Sequence, residues 1–157
     1  MNATPMPDIL SRPYAPVDLA ACLALFDSNV PTYFAPSERA EFEAFLRGLD
    51  QASGPYLVLT CHGQIVACGG VLADDQQTAS FAWGMVDRAL HRQGMGRQLA
   101  RLRLAQARRM PGITRLRLST SQHSAGFYEA MGFATTSVTP DGLAPGLDRH
   151  DMVMRLD

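Results

Sequence analysis

The run Leu90-His91-Arg92-Gln93-Gly94-Met95-Gly96-Arg97-Gln98-Leu99 constrains this chain more than any other stretch. It follows an apolar, strand-like run, Phe81-Ala82-Trp83-Gly84-Met85-Val86, and it opens a helical pattern. The paired glycines let the backbone turn tightly with bare N–H groups facing outward. At a helix start those groups lack intrahelical partners, and the macrodipole favours anions there. Arg92 and Arg97 add mobile positive charge. A strand, a glycine turn and a helix of this composition predict a cradle for a phosphorylated ligand of the pyrophosphate kind.

Charge is distributed to match. The net charge is only −1, yet residues 88–117 carry nine arginines and no acid. The flanking stretches 1–87 and 118–157 are both net acidic, so the local field steers polyanions to one part of the surface. Most of these arginines read individually as a solvated helix face; those beside the glycine turn read as functional.

A chain of 157 residues suits one domain, and no run of apolar residues is long enough to span a membrane. Residues 1–7 lack the basic-then-apolar pattern of a secretory leader. Cys22, Cys61 and Cys68 cannot all pair, no Cys-x-x-Cys occurs, and the four histidines are scattered, so neither a disulfide framework nor structural zinc is expected. A reducing cytoplasm is the expected setting, with no metal.

Periodicity divides the chain into alternating elements. Residues 8–14 read as an edge strand bounded by prolines. Asp18 caps a helix running to about residue 26, with Leu19, Cys22, Leu23 and Phe26 on one side, and Pro31 breaks it. Ser37 starts a second helix with Phe42, Phe45, Leu46 and Leu49 as its apolar face. Strands follow over 56–60 and 65–72 around a His62-Gly63 turn, then over 80–86. A helix over 94–109 turns Met95, Leu99, Leu102 and Met110 inward, and Arg97, Arg101 and Arg108 outward. A strand over 115–119 leads to a short helix over 124–131 stopped by Gly132. Strands over 133–138 and 152–156 close the fold, with residues 140–146 as a Gly- and Pro-rich loop between them. The order β-α-α-β-β-β-α-β-α-β-β predicts an α/β (α+β) domain with a mixed sheet and helices on both faces.

A second segment makes the turn specific. Ser124-Ala125-Gly126-Phe127-Tyr128-Glu129-Ala130-Met131-Gly132-Phe133 follows the glycine turn by about thirty residues. Together, and in this order, the two resemble the Gcn5-related N-acetyltransferases, the GNAT family. That resemblance implies a single acetyltransferase domain over 1–157, with a central sheet splayed open at the cofactor site. It implies that acetyl-CoA binds through its pyrophosphate on Arg92, Gln93, Gly94, Met95, Gly96 and Arg97. The backbone of Met85 and Val86 pairs with the pantetheine arm, and Ser121 and Phe127 lie beside that arm. Tyr128 is the catalytic acid for the departing thiol. Three departures stand out: His91 replaces the usual Gln or Arg, Ser121 stands where many members have Asn, and the strand before the turn has no Glu for a base.

Amine acetylation requires a polarised thioester carbonyl, a neutral amine and a proton for the thiolate. The resemblance implies that a backbone N–H of the strand around residues 84–86 polarises the carbonyl; Gly84 there reads equally as permitting a bulge or close approach and as a small residue beside Trp83 in the core. An amine with pKa of about 10.4 needs a base or a desolvating pocket. No base is assignable from sequence; His123, His150, Asp74 and Asp75 read as surface groups. Segments 29–35 and 141–151 are the candidate acceptor walls, with Tyr33, Phe34, Asp148, His150 and Asp151 suited to a cationic amine. The expected activity is an acyltransferase moving acetyl from CoA to a primary amine, on a small molecule or peptide, in a ternary complex. The alternative is an acyl-CoA-binding sensor or structural relative without turnover. Nucleic acid is not an expected partner, because residues 88–117 contain no aromatic residue to stack bases. A membrane is not expected either, and a homodimer stays open.

Overall fold

The computed structural model of the protein describes residues 8–49 and 54–156; residues 1–7, read above as lacking a leader, lie outside them. Element order follows the periodicity: β1 (Ile9–Pro13), α1 (Leu19–Ser28), α2 (Arg39–Arg47), β2 (Tyr56–Cys61), β3 (Gln64–Ala73), β4 (Thr78–Val86), α3 (Met95–Arg109), β5 (Arg115–Thr120), α4 (Ala125–Ala130), β6 (Ala134–Ala144) and β7 (Leu147–Arg155). The strands form one mixed sheet in the order β1-β2-β3-β4-β5-β7-β6. Every neighbouring pair is antiparallel except β4 and β5.

That parallel pair creates the site. β4 and β5 are in register only over Thr78–Arg115, Ala79–Leu116 and Ser80–Arg117, and beyond Ser80 they separate. A bulge in β4 accompanies the opening. Cys68 pairs with Met85 but Gly70 pairs with Ala82, so Gly69 alone faces both Trp83 and Gly84. Of the two readings of Gly84, the bulge with a close approach is the one that occurs. The left-handed backbone falls on Trp83 instead, at φ 47°. The Tyr56 hydroxyl donates to the Trp83 carbonyl at 2.9 Å and braces the distortion.

The bulge also changes which residues share a face. Phe81 packs with Ala100, Leu104 and Phe133 on the α3–α4 side, whereas Met85 packs with Phe26 and Phe42 under α1 and α2. An unbroken strand would put both on the same side. The α1–α2 layer is unusually aromatic: Phe26 stacks on Phe34 at 4.9 Å and on Phe42 at 5.7 Å, and Trp83 lies 5.1 Å from Phe42.

Two expectations are corrected. Asp18 precedes α1, but its carboxylate does not cap that helix. It accepts from the Ala15 N–H at 2.8 Å and from Arg12 at 2.7 and 2.9 Å, closing a single turn of tighter helix over Pro16–Asp18. The Arg12 hydrogen bonds hold its carboxyl below the usual range. Glu38 does the same ahead of α2, accepting from Ala35 N–H at 2.8 Å. The second correction concerns the expected loop over 140–146. Strand pairing continues through Ala144 and resumes at Leu147, with register shifts absorbing the turn-forming residues. β6 is an edge strand, where Pro140 interrupts no ladder on its open side.

Candidate active site

A cleft of about 1220 Å³ occupies the gap between β4 and β5. Its walls are residues 80–86 of β4, residues 117–120 of β5 with Ser121 after it, the start of α3, the face of α4 and the α1–α2 connection. Sites of this size and concavity suit small-molecule ligands.

The mouth of the cleft is the glycine turn. Arg92 and Gly94 both adopt left-handed backbone, at φ 65° and 86°, and Gly94 caps α3. The first helical bond runs from Gln98 N–H to the Gly94 carbonyl at 3.1 Å. The amides of Met95, Gly96 and Arg97 therefore precede the helical ladder and point out of its N-terminus. Arg92, Gly94, Gly96 and Arg97 line the cleft, with both arginines exposed. Gln93 and Met95 do not line it; the Met95 side chain is buried against Leu59 and Leu99. A Cβ at Gly96 would sit 3.5 Å from the Phe127 ring and 3.9 Å from Val86, between the two walls. His91 lines the cleft, with both ring nitrogens engaged by the protein. Its Nε2–H donates to the Val86 carbonyl at 2.9 Å, and Arg88 donates to Nδ1 at 3.2 Å.

The edge of β4 is half occupied. Val86 carbonyl also accepts from the buried Asn29 amide at 2.9 Å. Asp87 N–H donates to Val66 in β3 at 2.9 Å, so ladder alternation turns the Val86 N–H away from β3 toward the cleft. The same alternation turns the Met85 backbone toward Cys68, its registered partner.

At the inner end, α4 presents Tyr128. The buried Ser121 starts α4: its carbonyl accepts from Ser124 and Ala125, each at 3.1 Å, and its hydroxyl accepts from His123 N–H at 3.2 Å. Phe127 is 39% exposed and packs edge-on to Tyr128 at 5.0 Å. The Tyr128 hydroxyl accepts a hydrogen bond from Arg103 at 3.3 Å, which leaves its own proton free for another acceptor.

From sequence alone Arg103 is one of the nine arginines of the basic stretch. It is 2% exposed and lies on the inner face of α3. The signal was present, since Arg103 falls four residues after Leu99 and eight after Met95, within the apolar stripe.

The front wall holds the acceptor-side residues. Tyr33, Phe34 and Asp151 line the cleft as expected; Asp148 and His150 do not. Asp148 instead accepts from Asp141 N–H at 2.9 Å within the β6–β7 hairpin, and His150 registers with Thr120 and Val138 in the sheet. Burial acts to raise the Asp151 carboxyl, but hydrogen bonds from Ser119, Arg149 and Ser137 outweigh it and hold the group below the usual range. Tyr33 reaches across the mouth, edge-on to His91 at 5.0 Å and His123 at 6.1 Å, with the Arg88 guanidinium 5.0 Å over its ring. Glu38 and Glu41, which sequence reading passed over, also line this wall. Burial raises the Glu38 carboxyl above the usual range despite the opposing hydrogen bond from Ala35, and neighbouring Glu41 adds to the rise. Among the described residues no group of three or more His, Cys, Asp or Glu could hold a metal, and no helix is long and apolar enough to cross a membrane.

Comparison with known proteins matches this geometry to one family. Residues 22–133 match the model of the acetyltransferase (GNAT) family. A search of curated proteins gives no significant match. Solved structures superpose over nearly the whole chain. A candidate phosphinothricin N-acetyltransferase is 20% identical, with a TM-score of 0.81, covering 96% of this chain and 99% of its own. Ard1 from Thermoplasma volcanium is 18% identical with a TM-score of 0.78, covering 95% of this chain and 98% of its own. YncA from Salmonella typhimurium, solved with its cofactor acetyl-CoA, is 18% identical with a TM-score of 0.76, covering 96% and 95%. At these identities the superpositions establish the fold, and the matched family model establishes the lineage: the chain belongs to the GNAT acetyltransferase family.

Proposed function

We propose that the protein transfers an acetyl group from acetyl-CoA to a primary amine by direct attack within a ternary complex. The observation that carries this reading is that the amide cradle at the start of α3 and the Tyr128 hydroxyl open into one cleft. The amides of Met95, Gly96 and Arg97, flanked by Arg92 and Arg97, hold the pyrophosphate. The Val86 N–H bonds the pantetheine arm, with Ser121 and Phe127 along its path. A backbone N–H near the β4 bulge polarises the thioester carbonyl. The front wall receives the amine: Asp151, held ionised, attracts the ammonium, and Glu38 accepts its proton. The amine nitrogen then bonds to the carbonyl carbon, the C–S bond breaks and Tyr128 protonates the thiolate; the second proton that the nitrogen sheds on becoming an amide passes to solvent, from which Tyr128 is reprotonated.

The test is free-thiol release from acetyl-CoA across a panel of amines, alongside calorimetric binding of acetyl-CoA. Binding without release for any amine would favour the sensor reading over turnover. Binding should weaken as salt rises, since exposed arginines meet several phosphate charges. Arg92→Ala and Arg97→Ala should each raise Kd by roughly three- to thirtyfold, the loss of a charge-assisted contact of about 1–2 kcal/mol. Parent-like affinity in both variants at low salt would leave these arginines as solvated surface.

Glu38 makes a pH prediction. A base works only when deprotonated, and its carboxyl is raised. Turnover should therefore rise with pH along a limb above the usual carboxylate range. Glu38→Gln should remove that limb and slow turnover by about tenfold, because water can replace a partly solvated base. An unchanged limb in this variant would assign the proton acceptor elsewhere.

A further inference from the structure

Among the described residues Arg103 is a buried cation without an anion. Its side chain is 2% exposed, and among the described residues no carboxylate lies within ion-pair distance of it. Among the described residues its one hydrogen bond goes to the Tyr128 hydroxyl, and its Nε has no partner. The guanidinium carbon lies 4.1 Å from the centre of the Phe81 ring, which compensates only part of the lost hydration. Burying a charge without a partner is strongly unfavourable, so an anion that enters the cleft is the natural complement.

The slot for this arginine is built into the sheet. A Cβ at Gly84 would lie 2.6 Å from both terminal guanidinium nitrogens, and one at Gly69 would lie 3.4 Å from the Arg103 Cδ. Two glycines on adjacent strands, at the bulge, thus let the stem and head lie flat against the backbone. The head lies on the lining of the cleft, opposite the front wall that holds Glu38 and Trp83. Seven residues separate Gly96 from Arg103, about 10 Å along the axis of α3. Arg103 is therefore remote from the pyrophosphate cradle and lies at the reacting end, beside Tyr128. Phe81, Leu99 and Leu118 supply the apolar part of the cleft lining, with Thr120 and Ser121 among its polar residues.

A cleft with apolar side chains along one part of its lining and a buried guanidinium that no described carboxylate pairs suits a short hydrocarbon spacer that ends in a carboxylate. We propose that Arg103 is an anion subsite for the acyl group, and that the protein prefers a CoA thioester of a short dicarboxylic acid, of the malonyl or succinyl kind. This rests on the CoA-thioester reading above and puts a dicarboxylic acyl donor ahead of acetyl-CoA at the same site. Transfer still forms the C–N bond and breaks the C–S bond; the distal carboxylate passes unchanged to the amine product.

The experiment is calorimetric binding of free CoA, acetyl-, butyryl-, malonyl- and succinyl-CoA with no amine present, so that a carboxylate on the acceptor cannot contribute. A charged donor should bind about tenfold or more tighter than butyryl-CoA, as expected for one charge-assisted bidentate contact. Arg103→Met, which keeps an apolar stem and removes the charge, should bring that ratio close to one; Arg103→Lys should retain part of it. Thermal melts of both variants report folding, and the wild-type ratio tests the proposal even if a variant does not fold. Equal or weaker binding of the charged donors by wild type overturns the proposal and leaves Arg103 as a partner of Tyr128 and the leaving sulfur. Failure of free CoA and every thioester to bind overturns the CoA reading itself, which a charge-blind but CoA-binding protein would not.

Discussion

Replacing Gly96 by valine should abolish useful acetyl-CoA binding while leaving the protein folded. A Cβ at this position meets Phe127 at 3.5 Å and Val86 at 3.9 Å, both ordinary contacts, so the backbone need not move. The two methyl groups beyond it must extend into the cleft that Gly96 lines. They occupy the space a phosphate needs to reach the free amides of Met95, Gly96 and Arg97. Losing two such contacts, at about 1.5 kcal/mol each, raises Kd on the order of a hundredfold. Gly94 is the contrasting control. It has open space around its Cβ position but sits at φ 86°, so Gly94→Ala strains the cap without filling the cradle. Calorimetry on the three folded proteins, with thermal melts, separates the effects. Unchanged affinity in Gly96→Val would remove the pyrophosphate from this turn.

Tyr128→Phe should slow turnover by about a hundredfold with little change in acetyl-CoA affinity. The ring contacts with Phe127 and Phe133 survive, and only the hydroxyl is lost. A thiol pKa of about 8.5 makes the thiolate a tolerable leaving group, so the effect belongs at the low end for a general acid. The substitution has a second consequence. Arg103 loses its one hydrogen bond while remaining buried, which should cost about 1–3 kcal/mol of stability. That part should shrink when Arg103→Met is already present, since a double-mutant cycle isolates the shared contact. Turnover equal to the parent would assign Tyr128 to packing. A large affinity loss with normal turnover would make it a binding residue for the thiol arm.

Local chemistry was legible where neighbours in sequence act together. The strand, glycine turn and helix of the cofactor mouth lie within one stretch, and the turn at His62-Gly63 has left-handed backbone at both residues. The stop at Gly132 works in the same way, at φ 110°. The β6–β7 hairpin was less legible. Its prolines and glycines carry local turn chemistry, but pairing between β7 and β5 holds the strands in place across register shifts. Long-range ladder bonds there override local preference.

Residue types and their spacing alone determined the order of elements, the amide cradle beside Arg92 and Arg97, and the position of Tyr128 one helix later. Tertiary structure alone decided what surrounds the reacting end. The bulge opposite Gly69 shifts the two-residue period of β4, so Phe81 and Met85 face opposite layers and Gly84 turns toward α3. No count along the strand reveals that shift, because it depends on pairing with β3. Arg103 enters the cleft only because that shift opens a space for its head, and Glu38 reaches the front wall only because α1 and α2 pack across the sheet. A side chain's chemistry is written locally, but the burial and partners that give it a task come from contacts distant in sequence.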